Sequence, residues 1–580
     1  MPRSIRIINE PSPPDLRVVA PYGYEDPPTP ACFARGLRGG PGDHPRGVAK
    51  GKTALIDPLS DLTLFMTRRT RLIFRFFLVS VLVGGLLSRL AGQSGPGDRP
   101  NILFIYTDDQ SHHTLSSYLQ EGAPSWVKTP NIDRLAQEGV RFSMAYGASW
   151  CAPSRAIVLT GQQPHAIQGV DLNRDPHSAR PWATMTDGWD PQVAQMWPRE
   201  LRRAGYETAM IGKWHVGQNA GHGDLWDHSV VWDQNTPQGD WYNNQSLSID
   251  GAPAAVVPGY STFVYTDFAQ DYIRREHDKP WLMWLCYNAP HLPNTVHPDT
   301  KDDYQGVEVA IPEDWYGPRA GKPTYMRTLT MLDPDLEGRP RYGPRATRLE
   351  DLIVGYHRLV ISLDEAVGRL LDTLEETGQL DNTVIVFTSD QGFAWGERGY
   401  VWKVGPYDAC LRMPLIVRYP KDARAGGVVR SPVSIIDVVP TILSYTGVDV
   451  DWPLHGRNLR PSLRVPEAGV PGRVLTEHFL SAFGDQIQTA VTDEDNFTRT
   501  IPWWLSVVEG DLKYIRSLVP DEIEELYDLA NDPNEQHNLA LASAHRADLL
   551  RLRAALIEEL EATDAHFIPT LPAPREVTLH

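Results

Sequence analysis

Polar and charged side chains follow several apolar segments of the sequence, at the point where each segment ends. They are Asp108 and Asp109 after "NILFIY" (101–106), Lys213 and His215 after "ETAMI" (207–211), His291 after "PWLMWLCY" (280–287), and Asp390 and Gln391 after "NTVIVFTS" (382–389). Carboxylate and amide oxygens are hard ligands, which favour Ca²⁺ or Mg²⁺ over zinc. Because crowded carboxylates repel one another, a cation bound by Asp108, Asp109, Asp390 and the Gln391 oxygen would relieve that repulsion.

Cys151 lies in the segment "SWCAPSRAIVLTGQQ" (149–163), where an apolar run ending at Thr160-Gly161 predicts a helix. The thiol has four possible roles: nucleophile, metal ligand, half of a disulfide, or buried small side chain. Cys286 and Cys410 lie in or beside apolar segments that are predicted to be strands, so they are predicted to be core residues. A disulfide between Cys151 and either of them remains possible after export. A helix N-terminus binds anions and can hold a nucleophile where negative charge develops.

Three cations are candidates for contact with a tetrahedral oxyanion beside this helix, namely Arg155, Lys213 and Lys403. Together with the carboxylates they indicate a metal-assisted site for sulfuryl or phosphoryl transfer. The whole chain has a formal charge of −18, which argues against nucleic acid as a partner, but local cations in a cleft can still bind an anionic substrate.

From residue 99 onward, short apolar strands alternate with helical segments, including one capped by Thr129 and ending at Gly139, one over about 347–376, and "SIIDVVPTILSYTG". A further apolar segment, "MPLIVRY" (413–419), is another candidate strand. This alternation predicts an α/β fold: a large, mostly parallel sheet covered by helices on both faces. Ligands of such sheets bind at the carboxyl ends of the strands, where the polar residues above would meet.

The predicted organisation has four parts. Residues 1–65 are rich in Pro, Gly and Arg and are expected to be disordered or not translated, with Met66 as the true start. Residues 66–98 have a basic start, the apolar run Phe76–Leu87 and small residues, the pattern of a cleavable export signal followed by a linker. Residues 99–470 form the catalytic α/β domain, and short strands and a final helix in 471–580 predict a smaller C-terminal α+β subdomain.

The stretch Cys151-Ala152-Pro153-Ser154-Arg155, closed by Thr160-Gly161, resembles the signature of type I, formylglycine-dependent sulfatases of the alkaline phosphatase superfamily. Other matching segments occur in the family's order and cover about residues 99 to 560. They are "ILFIYTDDQ", "TPNIDRLAQEGVRF", "GKWHVG", "NAPHLP", "SDQGFAWGERG", "KVGPYDACLRMPLIV" and the terminal "LKYI" and "ELYDLANDPNEQHNLA". The ordered set of segments makes the resemblance far more specific than one motif would.

The resemblance implies that a maturation enzyme oxidises Cys151 to formylglycine, whose hydrate attacks sulfur with one oxygen and later expels sulfate with the other. It also implies Ca²⁺, in preference to Mg²⁺, as the metal. The implied ligands are Asp108, Asp109, position 151, Asp390 and Gln391. The other implied roles are stabilisation of the hydrate by Arg155 and Lys213, base catalysis by His215, and contact with the sulfate and leaving oxygen by His291 and Lys403.

The sequence departs from the family pattern at three positions. Gln391 stands where Asn or His is frequent, Arg398 where many members have His, and Asp408 where Glu is frequent. A Gln oxygen is still a metal ligand with a longer reach, and no departure removes a required chemical group.

The predicted function is hydrolysis of a sulfate ester by an exported, periplasmic or extracellular enzyme. Sulfated carbohydrate is the expected substrate, because segments at about 171–200, 218–260 and 292–345 are rich in Trp, Tyr, Asp and Pro, and exposed aromatics stack on sugar rings. The alternatives are a phosphonate monoester or phosphodiester hydrolase with the same machinery, and a sulfated-glycan-binding protein with a degenerate site. The other expected partners are the maturation enzyme and the export machinery, with a membrane contact only if the apolar segment is uncleaved.

Overall fold

The structure is a computed structural model that describes residues 99–575 apart from 172–187, 218, 233–239, 330, 344–346, 481, 491–496 and 499–500. All described residues belong to one compact unit. The predicted leader, export signal and linker (1–98) lie outside the described residues, as does much of the 171–200 insertion. Within the described ranges, no helix combines the length and the apolar character that a membrane span requires.

One sheet of eleven strands organises the fold. Its strands, in chain order, are β1 (Asn101–Thr107), β2 (Val140–Tyr146), β3 (Glu207–Lys213), β4 (His228–Trp232), β5 (Ser246–Ile249), β6 (Ala255–Val256), β7 (Trp281–Cys286), β8 (Thr383–Ser389), β9 (Arg412–Arg418), β10 (Gly427–Val429) and β11 (Val433–Ser434). Their order across the sheet is β10-β2-β9-β8-β1-β7-β3-β4-β5-β6, with β11 also paired to β2. The central strands β8, β1, β7, β3 and β4 are parallel, which confirms the predicted fold class.

The sheet is mixed toward both edges. Strand β9, formed by the predicted segment 413–419, is antiparallel to β8 on one side and to β2 on the other. At the opposite edge, β5 is antiparallel to both β4 and β6. A buried apolar run predicts a covered strand but not its direction, because both parallel and antiparallel central strands bury both faces.

Alternating residues of β1 enter two separate cores. Ile102, Phe104 and Tyr106 belong to one core, and Leu103 and Ile105 belong to the other. The first core is covered by helices α2 (Cys151–Thr160), α3 (Trp197–Arg203) and α6 (Val438–Thr446); the second by α1 (Pro130–Glu138), α4 (Ser261–Ile273) and α5 (Leu349–Glu376). Helices therefore cover both faces of the sheet, as the alternation of strands and helices predicts.

The cap of α1 differs from the prediction. Thr129 occupies the N-cap position, but its side chain makes no capping hydrogen bond to the helix. Instead Asp364 of α5 accepts hydrogen bonds from the backbone amides of Asn131 and Ile132. The predicted helix over "SIIDVVPTILSYTG" begins as a 3-10 turn at Ile435–Asp437 before α6.

The C-terminal part forms a second, antiparallel sheet. Its four strands are β12 (Val474–His478), β13 (Trp504–Glu509), β14 (Leu512–Ser517) and β15 (Glu525–Asp528), in the order β12-β13-β14-β15. Helix α7 (Arg546–Ala562) buries leucines against one face of this sheet. The other face, which includes Trp504, packs against Tyr146, Val404 and Tyr407 of the catalytic part. This arrangement is the predicted C-terminal α+β subdomain.

The remaining short elements lie in the connections. Two-stranded and three-stranded ribbons pair Val170–Asp171 with Gly188–Trp189, Phe497–Thr498 with Ile501–Pro502, and Leu332–Pro334 with Pro340–Tyr342 and Thr347–Arg348. Short α-helices cover Thr324–Arg327, Asp408–Leu411, Arg460–Arg464 and Asp485–Ala490.

Candidate active site

The carboxyl ends of β1, β3, β7 and β8 bring most of the predicted site residues together. Lys213, the last residue of β3, donates a hydrogen bond from Nζ to Oδ2 of Asp108, which follows β1. The backbone amide of Asp109 donates to Oδ1 of Asp390, which follows β8, over 2.8 Å. Parallel neighbours end at the same edge of the sheet, so residues far apart in sequence meet here.

Cys151 lies at the first position of α2, with a cation against its sulfur. Lys403 Nζ is 2.7 Å from Cys151 Sγ and 2.7 Å from Asp109 Oδ1. The helix is fixed to the sheet by Ser154, whose hydroxyl donates to the Asp390 carbonyl over 2.8 Å. An atom on the Cys151 side chain therefore lies at a buried helix N-terminus next to an ammonium group, where negative charge is stabilised.

Arg155 is fully buried one turn into the same helix. Its NH2 atom is 3.7 Å from Asp108 Oδ2 and 3.9 Å from Asp390 Oδ2, and its NH1 atom donates to the Lys213 carbonyl. Although burial alone would lower the pKa of this guanidinium, the negative charges around it, including those of Asp108 and Asp390, raise it. Arg155 thus supplies a permanent positive charge between the two carboxylates.

Four buried oxygens at this site have no hydrogen-bond partner. They are Asp108 Oδ1, Asp109 Oδ2, Asp390 Oδ2 and Gln391 Oε1. Buried polar atoms are normally satisfied, so oxygens orphaned together need a cation or a ligand. One ligand atom each from Asp108, Asp109, Cys151 and His291 also lie within 4.8 Å of one another. The carboxylate donors and the orphaned oxygens both fit a hard metal ion.

The Gln391 amide is oriented differently from the prediction. Its nitrogen, not its oxygen, contacts Asp109 Oδ1, and the same nitrogen is 3.9 Å from Cys151 Sγ. Rotation of the amide about its last bond exchanges the two atoms, so the residue retains an oxygen for a metal.

The carboxylates have opposite pKa shifts. Burial raises the pKa of Asp390 well above its usual value, and the charges of Asp108 and Asp109 raise it further. The pKa of Asp108 is also raised by burial, but Lys213, His291 and Arg155 outweigh this and hold it well below its usual value. Repulsion among the carboxylates is therefore only partly offset by the neighbouring cations.

His291 is held between a carboxylate and an aromatic ring. Its Nε2 is 3.4 Å from Asp109 Oδ2, and its ring stacks on Trp241 at 4.3 Å with an interplanar angle of 3°. Lys213 Nζ lies 5.2 Å from the centre of the same Trp241 ring. Burial lowers the pKa of His291 to about 4, although Asp109 opposes the shift. Trp241 thus contacts two predicted site residues, and sequence reasoning had grouped it only with the Trp-rich insertions.

His215 and two of the departures from the family pattern, Arg398 and Asp408, have contacts of their own. His215 has φ 60° and lies with its ring 6.1 Å from that of Trp150, the residue before Cys151. Asp408 and Arg398 contact the C-terminal subdomain: Asp408 Oδ1 is 2.8 Å from Lys513 Nζ, and Arg398 donates to the Asn534 carbonyl. These two departures from the family pattern therefore connect the catalytic part to the C-terminal subdomain.

This fold and site define an α/β enzyme with a buried cluster of acidic side chains beside Cys151, and comparison with known proteins gives its family. The Sulfatase family model matches residues 100–448, so the chain belongs to the sulfatase family. The protein is accordingly a sulfuric ester hydrolase of the alkaline phosphatase superfamily.

Three similar proteins place the chain among sulfatases of different substrates. An N-acetylglucosamine-6-O-sulfatase of Bacteroides thetaiotaomicron is 30% identical over 83% of this chain and 89% of its own length. A choline-sulfatase of Rhizobium meliloti is 28% identical over 76% of this chain and 82% of its own. A solved structure of BT4656 with its substrate D-glucosamine-2-N,6-O-disulfate has a TM-score of 0.67 and 27% identity, covering 81% of this chain and 99% of that one.

Proposed function

We propose that this sulfatase hydrolyses sulfate esters of carbohydrates through a formylglycine at position 151, with Ca²⁺ bound by the adjacent carboxylates. The observation that carries the proposal is the position of the Cys151 side chain. It lies at a buried helix N-terminus, 2.7 Å from Lys403 Nζ and in one cluster with Asp108, Asp109 and His291. Neither a structural thiol nor a disulfide requires such surroundings.

The proposed metal ligands are Asp108, Asp109, Asp390, Gln391 and the side chain at position 151. A bound divalent cation would act as a Lewis acid that polarises a sulfate oxygen. All-oxygen carboxylate sets suit Ca²⁺, which accepts irregular geometry and more ligands than Mg²⁺ does. The metal also accounts for the orphaned oxygen atom that each of Asp108, Asp109 and Asp390 contributes.

The cations of the chain itself orient the sulfate and the side chain at position 151. Lys403 contacts position 151 directly, and Arg155 and Lys213 lie on the Asp108 side of it. Oriented cations in a water-poor site stabilise the charge that develops on sulfuryl oxygens in the transition state. His291, beside Asp109, and Lys403 are the proposed contacts for the sulfate and its leaving oxygen, and His215, near Trp150, is the proposed base.

A formylglycine would supply a hydrated aldehyde, which can attack sulfur and then release sulfate without leaving a stable ester. A serine or thiol at this position would lack that second step. A maturation enzyme that recognises the Cys151-x-Pro153-x-Arg155 motif is therefore a proposed partner.

The proposed substrate class follows from relatives and from the rim of the site. The similar Bacteroides enzyme is named for an N-acetylglucosamine 6-sulfate, and BT4656 was solved with a disulfated glucosamine. Trp241, partly exposed beside His291, and Trp150, beside Cys151, are aromatic rings at the mouth of the site. The pattern in residues 66–98 supports export, so we propose that the enzyme meets extracellular sulfated glycans.

Mass spectrometry of the peptide around residue 151, together with kinetics, tests the proposal. We expect an aldehyde in place of the thiol and release of sulfate from glucosamine 6-sulfate, with slower or no hydrolysis of phosphonate monoesters and phosphodiesters. Cys151→Ala should abolish turnover, whereas Cys410→Ala, which alters a buried thiol that is not part of the cluster of Asp108, Asp109, Cys151 and His291, should retain it. A fully unmodified thiol in active enzyme, or a preference for phosphonates, would contradict the proposal.

The metal is tested on chelated protein. Ca²⁺ is expected to restore activity and raise the melting temperature more than Mg²⁺ does, because a ligand that binds only the folded state stabilises it. Asp390→Asn should weaken both responses. Equal responses to the two ions would contradict the assignment of Ca²⁺.

A further inference from the structure

Val404, directly after Lys403, has a backbone conformation that its side chain disfavours. Its φ is 72°, in the left-handed region that β-branched residues rarely adopt. Such a conformation persists only when surrounding contacts hold it. The residue therefore identifies a point where the segment carrying Lys403 is under constraint.

Both backbone polar groups of Val404 bind outside its own segment. Its amide donates to the carbonyl of Ser149, two residues before Cys151, over 3.0 Å. Its carbonyl accepts a hydrogen bond from Nε1 of Trp504 over 2.8 Å. The first bond joins the segment of Lys403 to the segment of Cys151, and the second joins it to the C-terminal sheet.

The C-terminal sheet contacts the other segment as well. His478 of β12 is the cross-strand partner of Trp504 in β13, and their rings stack at 5.9 Å. His478 Nδ1 lies 2.9 Å from the Ser149 hydroxyl. One cross-strand pair, buried in both members, thus contacts the segments that carry Lys403 and Cys151.

We propose that Trp504 and His478 are positioning residues that keep Lys403 against the side chain at position 151, so that the C-terminal sheet completes the active site. The inference rests on the proposed function for the role of Lys403. Loss of the indole donor would free the Val404 carbonyl and let the strained backbone relax, which moves the neighbouring Lys403 ammonium. An ammonium displaced by about 1 Å loses much of its catalytic effect.

The test compares identical substitutions at adjacent tryptophans. Trp504→Phe retains an aromatic ring but removes the N–H donor, whereas Trp503→Phe alters the neighbour that packs with Phe479 in the core beneath α7. With activity normalised to the formylglycine content, Trp504→Phe should lower kcat about tenfold, which corresponds to about 1.4 kcal/mol of activation free energy. Trp503→Phe should change kcat less than twofold at a similar melting temperature.

Two further measurements separate positioning from general stability. Val404→Gly relieves the left-handed strain, because glycine adopts that conformation freely, so it should recover much of the kcat lost in Trp504→Phe. Hydrogen–deuterium exchange should show faster exchange of the amides at 403–405 in Trp504→Phe than in Trp503→Phe. Equal kinetics for the two Phe variants, or no recovery by Val404→Gly, would overturn the inference.

The exchange measurement does not depend on catalysis. If the wild type hydrolyses no sulfate ester, the proposed function fails, yet unchanged exchange at 403–405 in Trp504→Phe would still overturn the positioning role of Trp504 by itself. Faster exchange at 403–405 in Trp504→Phe than in an inactive wild type would support the positioning role while refuting the function.

Discussion

Trp241 connects two site residues, His291 and Lys213, through one aromatic ring. It stacks on His291 at 4.3 Å and lies 5.2 Å from the Lys213 ammonium. We expect Trp241→Leu to lower kcat/KM by about tenfold or more, since a lost stack and a lost cation–π contact are each worth about 1 kcal/mol. Trp241→Phe should retain part of the activity because a smaller ring still stacks. Steady-state kinetics with an aryl sulfate measure the effect.

A second tryptophan–histidine pair provides the control. Trp126 lies 4.7 Å from His357, away from the metal cluster. Trp126→Leu should leave kcat/KM within about twofold of wild type, because the substitution affects packing alone. Equal losses in the two leucine variants would contradict a specific role for Trp241.

At the level of single residues, the sequence predicts the charged members of the site but not its aromatic member. Asp108 and Asp390 each follow a strand and Lys213 ends one, and the ends of parallel strands meet at one edge of the sheet. Trp241 lies in a loop whose path depends on tertiary packing, so no local pattern distinguishes it from other tryptophans.

At the level of elements, His165 joins the end of α2 to the C-terminal subdomain. Its Nδ1 is 2.7 Å from Glu477 Oε1 in β12, and its Nε2 is 2.8 Å from the Thr563 carbonyl after α7. Both partners are acceptors only, so the ring satisfies them fully as an imidazolium. Burial lowers its pKa, but Glu477 outweighs burial and raises it above the usual value.

The buried His165–Glu477 pair predicts a stability contribution that depends on pH. We expect His165→Gln to lower the free energy of unfolding by about 3 kcal/mol at pH 6, the typical cost of removing one partner of a buried ion pair. A raised folded-state pKa means that the contribution is complete below pH 6.5 and is lost as the pH rises through the folded pKa. Denaturant unfolding at pH 6 and pH 9 should therefore show a smaller difference at pH 9.

An exposed histidine pair is the matched control. His545 lies 3.7 Å from Asp548, with both side chains 40% exposed. His545→Gln should cost less than about 0.5 kcal/mol at either pH, because solvent screens the pair. A pH-independent cost at His165 would show that its ring acts by packing rather than by charge.

The elements show where local sequence stops predicting structure. The bounds of the five strands predicted from apolar runs, β1, β3, β7, β8 and β9, differ from the prediction by one or two residues, because apolar runs define strands well. The cap of α1 comes from Asp364, more than two hundred residues away, and the reversed direction of β9 depends on its neighbours. Such pairings depend on tertiary contacts that local patterns do not encode.

At the scale of the whole molecule, the sequence predicts the helical layers on the large sheet but not the contacts between the catalytic part and the C-terminal subdomain. Alternating β and α segments predict two helical layers, and the large sheet has a core on each of its faces. The contact of the C-terminal sheet with the segments of Cys151 and Lys403 depends on single side chains such as Trp504. A strand pattern predicts that Trp504 lies in a strand but not which residue it contacts.

Buried histidines outside the site predict sensitivity to acid. Burial lowers the pKa of His113 and of His357 to about 4 and that of His478 to about 3. Between about pH 6.5 and pH 4 the unfolded chain binds protons that these rings do not, so the free energy of unfolding falls as the pH falls. Each ring contributes up to about 3 kcal/mol to this loss.

Replacing one ring isolates the effect from the titration of carboxylates. His357→Gln removes a group that takes up a proton only on unfolding, so its melting temperature should fall less than that of wild type between pH 7.5 and pH 4.5. The exposed His566 gives the control, and His566→Gln should follow the wild-type pH dependence. A buried ring that protonates only in the unfolded chain must make the melting temperature fall more steeply as the pH falls. Parallel plots of melting temperature against pH for wild type and His357→Gln would therefore show that acid unfolding has another cause.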